Sequence, residues 1–376
     1  ESYPLFFFLL SLYLLIRNRP YLSALFTGVG FMIKLIPLIL VPVAIQFFSR
    51  VKYAISVENG RITATKIIDD DLSRTGQKLQ FIIPLDTIRT VLYVGIFLGT
   101  VVAIGLPFYR MNPDLFFGPQ TITAARQPWE TIWALIDGNY DYGIIPLDMR
   151  NLDWSPGSAP PTRIPWLLVT AIFGIVYAWF YTRPLSWNTR NSLAFVGFTL
   201  CLFMLWSKGY SPQWLGWPLF FIALLLPNIR GVTYAVILSI GNIVEANFYF
   251  IMFPEDRWLL ASTVLVRTLL LVVLATEFLW LIWTPSPQWQ RLRAWGLAGL
   301  AVLLMVGSLV ATGALTSSYF DLRLRQSPYR ATISRLLEEP VKGALLVNSH
   351  PVYDWFYPYL RHDYRLFMLD DYAPAS

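Results

Sequence analysis

Residues 21–48 read YLSALFTGVGFMIKLIPLILVPVAIQFF. Whether this stretch is one helix or two sets the topology of everything after it. It is long for a single span, carries Lys34 near its middle, and places Pro37 and Pro42 just beyond. Proline removes a helical donor, and an ammonium group resists the bilayer centre, so one straight span is disfavoured. Two short helices, 21–33 and 35–48, turning near Lys34 satisfy both constraints. The small residues of TGVG (27–30) before IKLIP (33–37) suit close packing of the two arms.

Composition points the same way. Of 376 residues, 56% are hydrophobic and only 14% charged, which excludes an ordinary soluble domain. The apolar runs are dense and continuous rather than alternating, so they predict an all-α polytopic membrane protein and not a transmembrane barrel. About ten membrane segments are expected: 3–16, 21–33, 35–48, 90–108, 164–182, 192–206, 213–227, 231–253, 259–283 and 295–316. The single cysteine, Cys201, lies inside an apolar run and the two histidines, His350 and His362, near the end. A disulfide framework or a His/Cys metal site is therefore not expected. The net charge of +6 reflects topology rather than a nucleic-acid partner.

With the Lys34 hairpin in place, positive residues segregate to one side. Connectors 17–20 (Arg17, Arg19), 49–89 (Arg50, Lys52, Arg61, Lys66, Arg74, Lys78, Arg89), 183–191, 228–230 and 284–294 (Arg291, Arg293) become cytoplasmic. The Lys34 turn, loop 109–163, the turns at 207–212 and 254–258, and the tail from about 317 face outside. The implied organisation is membrane helices over 1–48, a cytoplasmic loop over 49–89, a membrane domain over 90–316 with its large outer loop, and an outer tail over 317–376. The expected location is the plasma (inner) membrane.

Three polar pieces have their own patterns. The alternation of YAISVENGRITATKII around Asn59-Gly60, resuming in LQFIIPLDTI, predicts a small cytoplasmic β module, a place where protein partners could bind. In the outer loop, an amphipathic helix is expected from about Pro128 to Asp137, with Trp129 and Trp133 on one face as in an interfacial helix. The tail reads as helix 328–339, strand GALLVNS, helix 351–361 and strand YRLFMLD, a partial extracytoplasmic α/β layer. The chain opens at Glu1 with an apolar run and closes on APAS, so both ends read as cut from something longer. No Walker A loop, GxGxxG, HExxH or GxSxG occurs.

The chemistry rests on polar residues at membrane depth or at turns. Lys34 either snorkels to headgroups or binds a lipid-linked phosphate. In WSKGYSPQWLGW (206–217), Gly209 and Pro212 predict a tight outer turn. There Lys208 and the amides of a helix opening at Pro212 would attract an anion. The same residues also suit a plain interfacial loop anchored by Trp206, Tyr210 and Trp214. Glu245 and Arg267 each lie about 12 Å inside their segments at 1.5 Å per residue. They are expected to pair with each other or to face a wet cavity. Glu277 is read as approaching the cytoplasmic interface. Asp137 and Asp141 are either solvated loop acids or stand-ins for a catalytic acid.

Three blocks, GFMIKLIPLILVP (30–42), ARQPWETIWALIDGNYDYG (125–143) and LWSKGYSPQWLGWPL (205–219), resemble bacterial GT-C glycosyltransferases, nearest to mannosyltransferase-like enzymes that use polyprenyl-phosphate sugars. The resemblance implies a GT-C fold, and a lipid-linked sugar meeting its acceptor (a glycan, a lipid or a protein) on the outer side. It implies Lys34, Lys208 and Gln213 as donor-site residues; the candidate lipid-phosphate or sugar-binding set adds, from the residues themselves, Tyr210, Arg126, Glu130, Glu245 and Arg267. In the family the activating acid lies in the first outer loop, which here would precede residue 1. A divalent cation is compatible with this chemistry but not required by it. The alternatives are a transporter or flippase of lipid-linked sugars and a non-catalytic membrane subunit. A transporter would need buried charges leading to both sides, whereas Glu245 and Arg267 share one half.

Overall fold

The computed structural model describes residues 2–49, 51–58, 61–68, 80–84, 86–118, 127–140, 162–183, 188–252, 256–283, 296, 299, 329–340, 343–347, 356, 359–360 and 363–368. These residues are mostly helical. The chain divides into two compact units, residues 1–235 with 267–297, and residues 236–266 with 298–376.

The first unit opens with α1 (Ser2–Ile16) and α2 (Pro20–Ile33). The helix breaks where the sequence predicts. Lys34 is extended (φ −158°, ψ 145°), a 3-10 turn covers Ile36–Ile39, and α3 runs Leu40–Phe48. Gly30 makes the bend possible, since a Cβ there would sit 3.1 Å from the Pro37 ring. Ala24 and Ala44, ten residues either side of Lys34, share one buried cluster with Leu15, Phe48, Tyr93 and Phe97. Folding the arms back on one another is the arrangement that places them there.

Strands β1 (Val51–Glu58), β2 (Arg61–Ile68) and β3 (Gln80–Pro84) form an antiparallel sheet in the order β2-β1-β3. Glu58 faces Arg61 across residues 59–60, the register expected of a two-residue Asn-Gly hairpin. The extended pattern stops earlier than LQFIIPLDTI suggested. Asp86 caps α4 (Thr87–Met111), its side chain accepting from Arg89 N at 3.4 Å.

The remaining elements are α5 (Ile132–Asp137), α6 (Trp166–Tyr181), α7 (Thr189–Trp206), a 3-10 turn at Pro212–Leu215, α8 (Gly216–Leu225), α9 (Ile229–Ile243) with a π-helical continuation (Val244–Met252), and α10 (Arg257–Ile282). Helices thus cover nine of the ten expected apolar runs, while 295–316 lies essentially outside the described residues. Four are long and apolar enough to cross a membrane: Thr87–Met111, Thr189–Trp206, Ile229–Phe250 and Arg257–Ile282. Large apolar side chains such as Val91, Leu98 and Val102 on α4 and Leu167 and Ile175 on α6 are exposed. In water such surfaces would drive association; facing lipid they cost nothing.

Aromatic residues interlock the core of the first unit. Phe8 meets Trp217 edge to face at 5.2 Å, and Phe221 meets Phe278 at 6.4 Å. Gly197 lets the Phe278 ring approach to 3.0 Å of where a Cβ would stand. Glu277 is fully buried, and its partner Arg230 is half-buried. Arg230 Nη1 lies 3.1 and 3.4 Å from its two oxygens, and Tyr234 donates to it at 3.2 Å. A buried charge persists only with such partners.

In the second unit, α11 (Arg330–Glu338) packs Ile333 against Leu360 and Tyr364. Strands β4 (Ala344–Val347) and β5 (Arg365–Met368) pair in parallel. A parallel pair requires a crossover connection, and residues 356, 359 and 360 within it are helical.

Candidate functional site

Helix α7 ends at Trp206, leaving carbonyls without helical partners. The segment 127–140 supplies the missing donors. Trp133 Nε1 donates to Leu205 O at 2.8 Å, Trp129 N to Lys208 O at 3.0 Å, and Thr131 Oγ1 to the same carbonyl at 3.3 Å. In return Tyr210 N donates to Trp129 O at 3.2 Å, completing a short parallel bridge between Trp129 and Gly209. Gly209 is obligatory, because a Cβ there would fall 2.0 Å from the Trp129 ring.

This bridge corrects the expected Pro128–Asp137 helix. Glu130 has φ +53°, and Thr131 caps a helix that begins only at Ile132. Trp129 is therefore extended and does not share a helix face with Trp133. A second correction concerns the amides after Pro212. The next helix opens through a 3-10 turn, and Trp214 N already donates to Ser211 O at 2.8 Å.

Three of the expected cations converge on this turn, each over an aromatic ring. Lys34 Nζ lies 4.8 Å from the Trp214 centroid. Trp214 lies 5.7 Å from Tyr210, and the Arg267 guanidinium stacks 3.7 Å from the other end of the pair, over Tyr210. Arg267 also donates through Nη2 to the main-chain carbonyl of Glu130. Lys208 Nζ sits 5.2 Å from Trp166, whose ring meets Trp133 at 5.8 Å. A cation on a ring face contributes about 0.5–2 kcal/mol and is partly stripped of water.

Acid is present too. Asp137, at the end of α5, accepts from Arg163 N at 2.8 Å, while its Oδ2 is buried with no hydrogen-bond partner among the described residues. Half-burial pulls the Lys208 ammonium below the ordinary lysine range, and the Asp137 charge offsets part of that. The Glu130 residue is buried, at 3% exposure.

The structure thus brings together Lys34, Lys208, Tyr210, Arg267, Glu130 and Asp137 from the expected set. Gln213 is exposed on the 3-10 turn. Arg126 and Asp141 lie outside the described residues. Glu245 belongs to the second unit, fully buried in the first turn of the π-helical segment, a geometry often found at functional positions. Trp166 and Thr131 went unrecognised in the sequence. A tryptophan opening an apolar run is an interfacial signal, and a threonine just before the helical run IWALID is a capping signal. No group of three or more His, Cys, Asp or Glu side chains suited to a metal occurs among the described residues.

Chemically, Lys34, Lys208 and Arg267 are three cations seated on rings about one pinned turn, with the Asp137 charge acting on Lys208. Comparison with known proteins returned nothing: no family model, no curated protein and no solved structure matches the chain.

Proposed function

We propose that the chain is a GT-C-type integral membrane glycosyltransferase that moves a sugar from a polyprenyl-phosphate donor to an acceptor hydroxyl on the extracytoplasmic side. The observation that carries this reading is the convergence of Lys34, Lys208 and Arg267 through Trp214, Tyr210 and Trp166 at one turn. The donor's phosphate would sit among these cations. The acceptor oxygen attacks the anomeric carbon, the bond from that carbon to the phosphate oxygen breaks, and the lipid phosphate leaves with the electron pair. Fixed cations stabilise the charge gathering on that phosphate, the kind of effect that contributes most in a water-poor site. The hydroxyl proton passes to a carboxylate, for which Asp137 is the candidate in this cluster. The half-buried rings of Trp214 and Trp166 would pack on sugar faces. In this reading the chain has about ten membrane segments, a cytoplasmic 49–89 module and an outer α/β tail.

The test is transfer of a radiolabelled hexose from its polyprenyl phosphate by the purified chain. Wild type should transfer, and K34A and K208A should each lose roughly 100-fold, the loss typical of removing one charge-stabilising group. Equal rates in all three would end the reading. A transporter is favoured by one observation, the Arg230–Glu277–Tyr234 group around the buried Glu277, roughly 15 Å along α10 from Arg267 at 1.5 Å per residue. Flux of lipid-linked sugar across vesicles without transfer would establish that alternative.

A further inference from the structure

We propose that the turn between α1 and α2 is a binding site for the headgroup of an anionic phospholipid, held by Arg17 and Arg19. The inference rests on the chain residing in a membrane and is independent of the sugar-transfer reading.

The turn fixes the backbone on which the two arginines stand. Asn18 takes the left-handed conformation (φ 54°). Asn18 N donates to Leu15 O at 3.0 Å and Arg19 N to Leu14 O at 2.8 Å, the paired bonds of a Schellman C-cap. Proline at position 20 then starts α2. Both arginines therefore project from a fixed backbone on either side of Asn18, and both are exposed. An open cleft of about 430 Å³ lies between them, lined by Tyr13, Leu14, Ile16, Arg17, Asn18 and Arg19. No acid lines it.

Other arginines at helix ends are engaged by the protein itself. Arg89 donates to Phe48 O and pairs with Asp86, Arg230 pairs with Glu277, and Arg183 lies 3.8 Å over Trp179. Arg17 and Arg19 have no ion pair or side-chain hydrogen bond among the described residues. The amides of residues 17–19 all donate to helix carbonyls, so an anion in the cleft is held by the side chains alone. Guanidinium groups suit that task, since each offers a planar fork to phosphate oxygens.

The surroundings select a lipid over a soluble phosphate. Tyr3, Phe6 and Tyr13 are exposed at 76%, 57% and 57%, and at helical spacing they form a stripe along α1 that ends one turn before Arg17. Tyr21 flanks the turn at 41% exposure. An apolar track leading to a dibasic cleft, with tyrosines at the boundary, matches an acyl chain and its phosphodiester headgroup.

The experiment uses the full chain in detergent, with phosphatidylglycerol, phosphatidylcholine or water-soluble glycerophosphoglycerol added, and bound adducts counted by native mass spectrometry. Phosphatidylglycerol should bind in preference to phosphatidylcholine, and the soluble headgroup should not displace it at equal concentration. R17Q/R19Q should weaken phosphatidylglycerol binding roughly 25-fold, about fivefold for each arginine near the surface. R17K/R19K should keep only part of the binding, since the charge remains while the planar fork is lost, and R190Q, which removes another exposed arginine, should keep all of it. Unchanged binding by R17Q/R19Q, an equal loss in R190Q, or displacement by the soluble headgroup would each overturn the proposal.

Discussion

Gly209→Ala is the sharpest single perturbation of the site. The new methyl carbon would stand 2.0 and 2.1 Å from two atoms of the Trp129 indole and 2.6 Å from a third. The overlap cannot be relieved with the ring in place while the backbone bridge holds, because Trp129 is tied at both its N–H and its carbonyl. Either the ring leaves or the bridge opens. Opening it forfeits Trp129 N to Lys208 O and Tyr210 N to Trp129 O, and slackens Thr131 Oγ1 to Lys208 O. At about 1 kcal/mol per bond, the expected destabilisation is roughly 2–4 kcal/mol. Chemical unfolding in mild detergent, followed by tryptophan fluorescence, measures it. The cycle with Trp129→Ala is decisive: removing the ring gives the methyl room, so the double variant should be no worse than Trp129→Ala alone, a coupling of at least about 1 kcal/mol. Wild-type stability in Gly209→Ala, or costs that simply add, would refute the reasoning.

Arg230→Met should destabilise by roughly 3–5 kcal/mol because it strands the buried Glu277 carboxylate, and Arg230→Met with Glu277→Met should recover most of that in the same unfolding assay. Lys208 titrates below the ordinary lysine range, so across that window the unfolded chain binds more protons than the folded one. Stability should therefore rise as pH climbs through it, while anion binding at the site is lost on the alkaline side. Lys208→Arg should abolish both effects, seen in unfolding and binding measured against pH. Asn18→Ala should cost about 1 kcal/mol, the penalty for a left-handed alanine, and Asn18→Gly should be nearly neutral by thermal melting.

Much of the helical order was legible because its causes are local. Lys34 with Pro37 and Pro42 forbids a continuous helix, and the structure breaks there. Asn59-Gly60 between alternating runs predicts the strand register that is found. The Trp129–Trp133 spacing misled for a physical reason. Helical periodicity does run from 128 to 137, but Thr131 caps the helix later, and Trp129 gains more from pairing with the spent end of α7. At the site, the identities of Lys34, Lys208 and Arg267 could be suspected from charge in apolar surroundings. Their meeting could not, since it depends on Trp214, Tyr210 and Trp166 acting as ring platforms between distant segments. Glu277 and Arg230 were individually visible, yet their pairing needed the packing of α10 against the start of α9.

The most direct test of the central claim is an electron cryo-microscopy map of the purified chain with polyprenyl phosphate. The account predicts phosphate density within roughly 4 Å of the Lys34 and Lys208 ammonium groups, charge-assisted contact distance, with the lipid tail leaving sideways between helices. Phosphate density elsewhere, with Lys34 and Lys208 still seated on Trp214 and Trp166 and nothing between them, would contradict it.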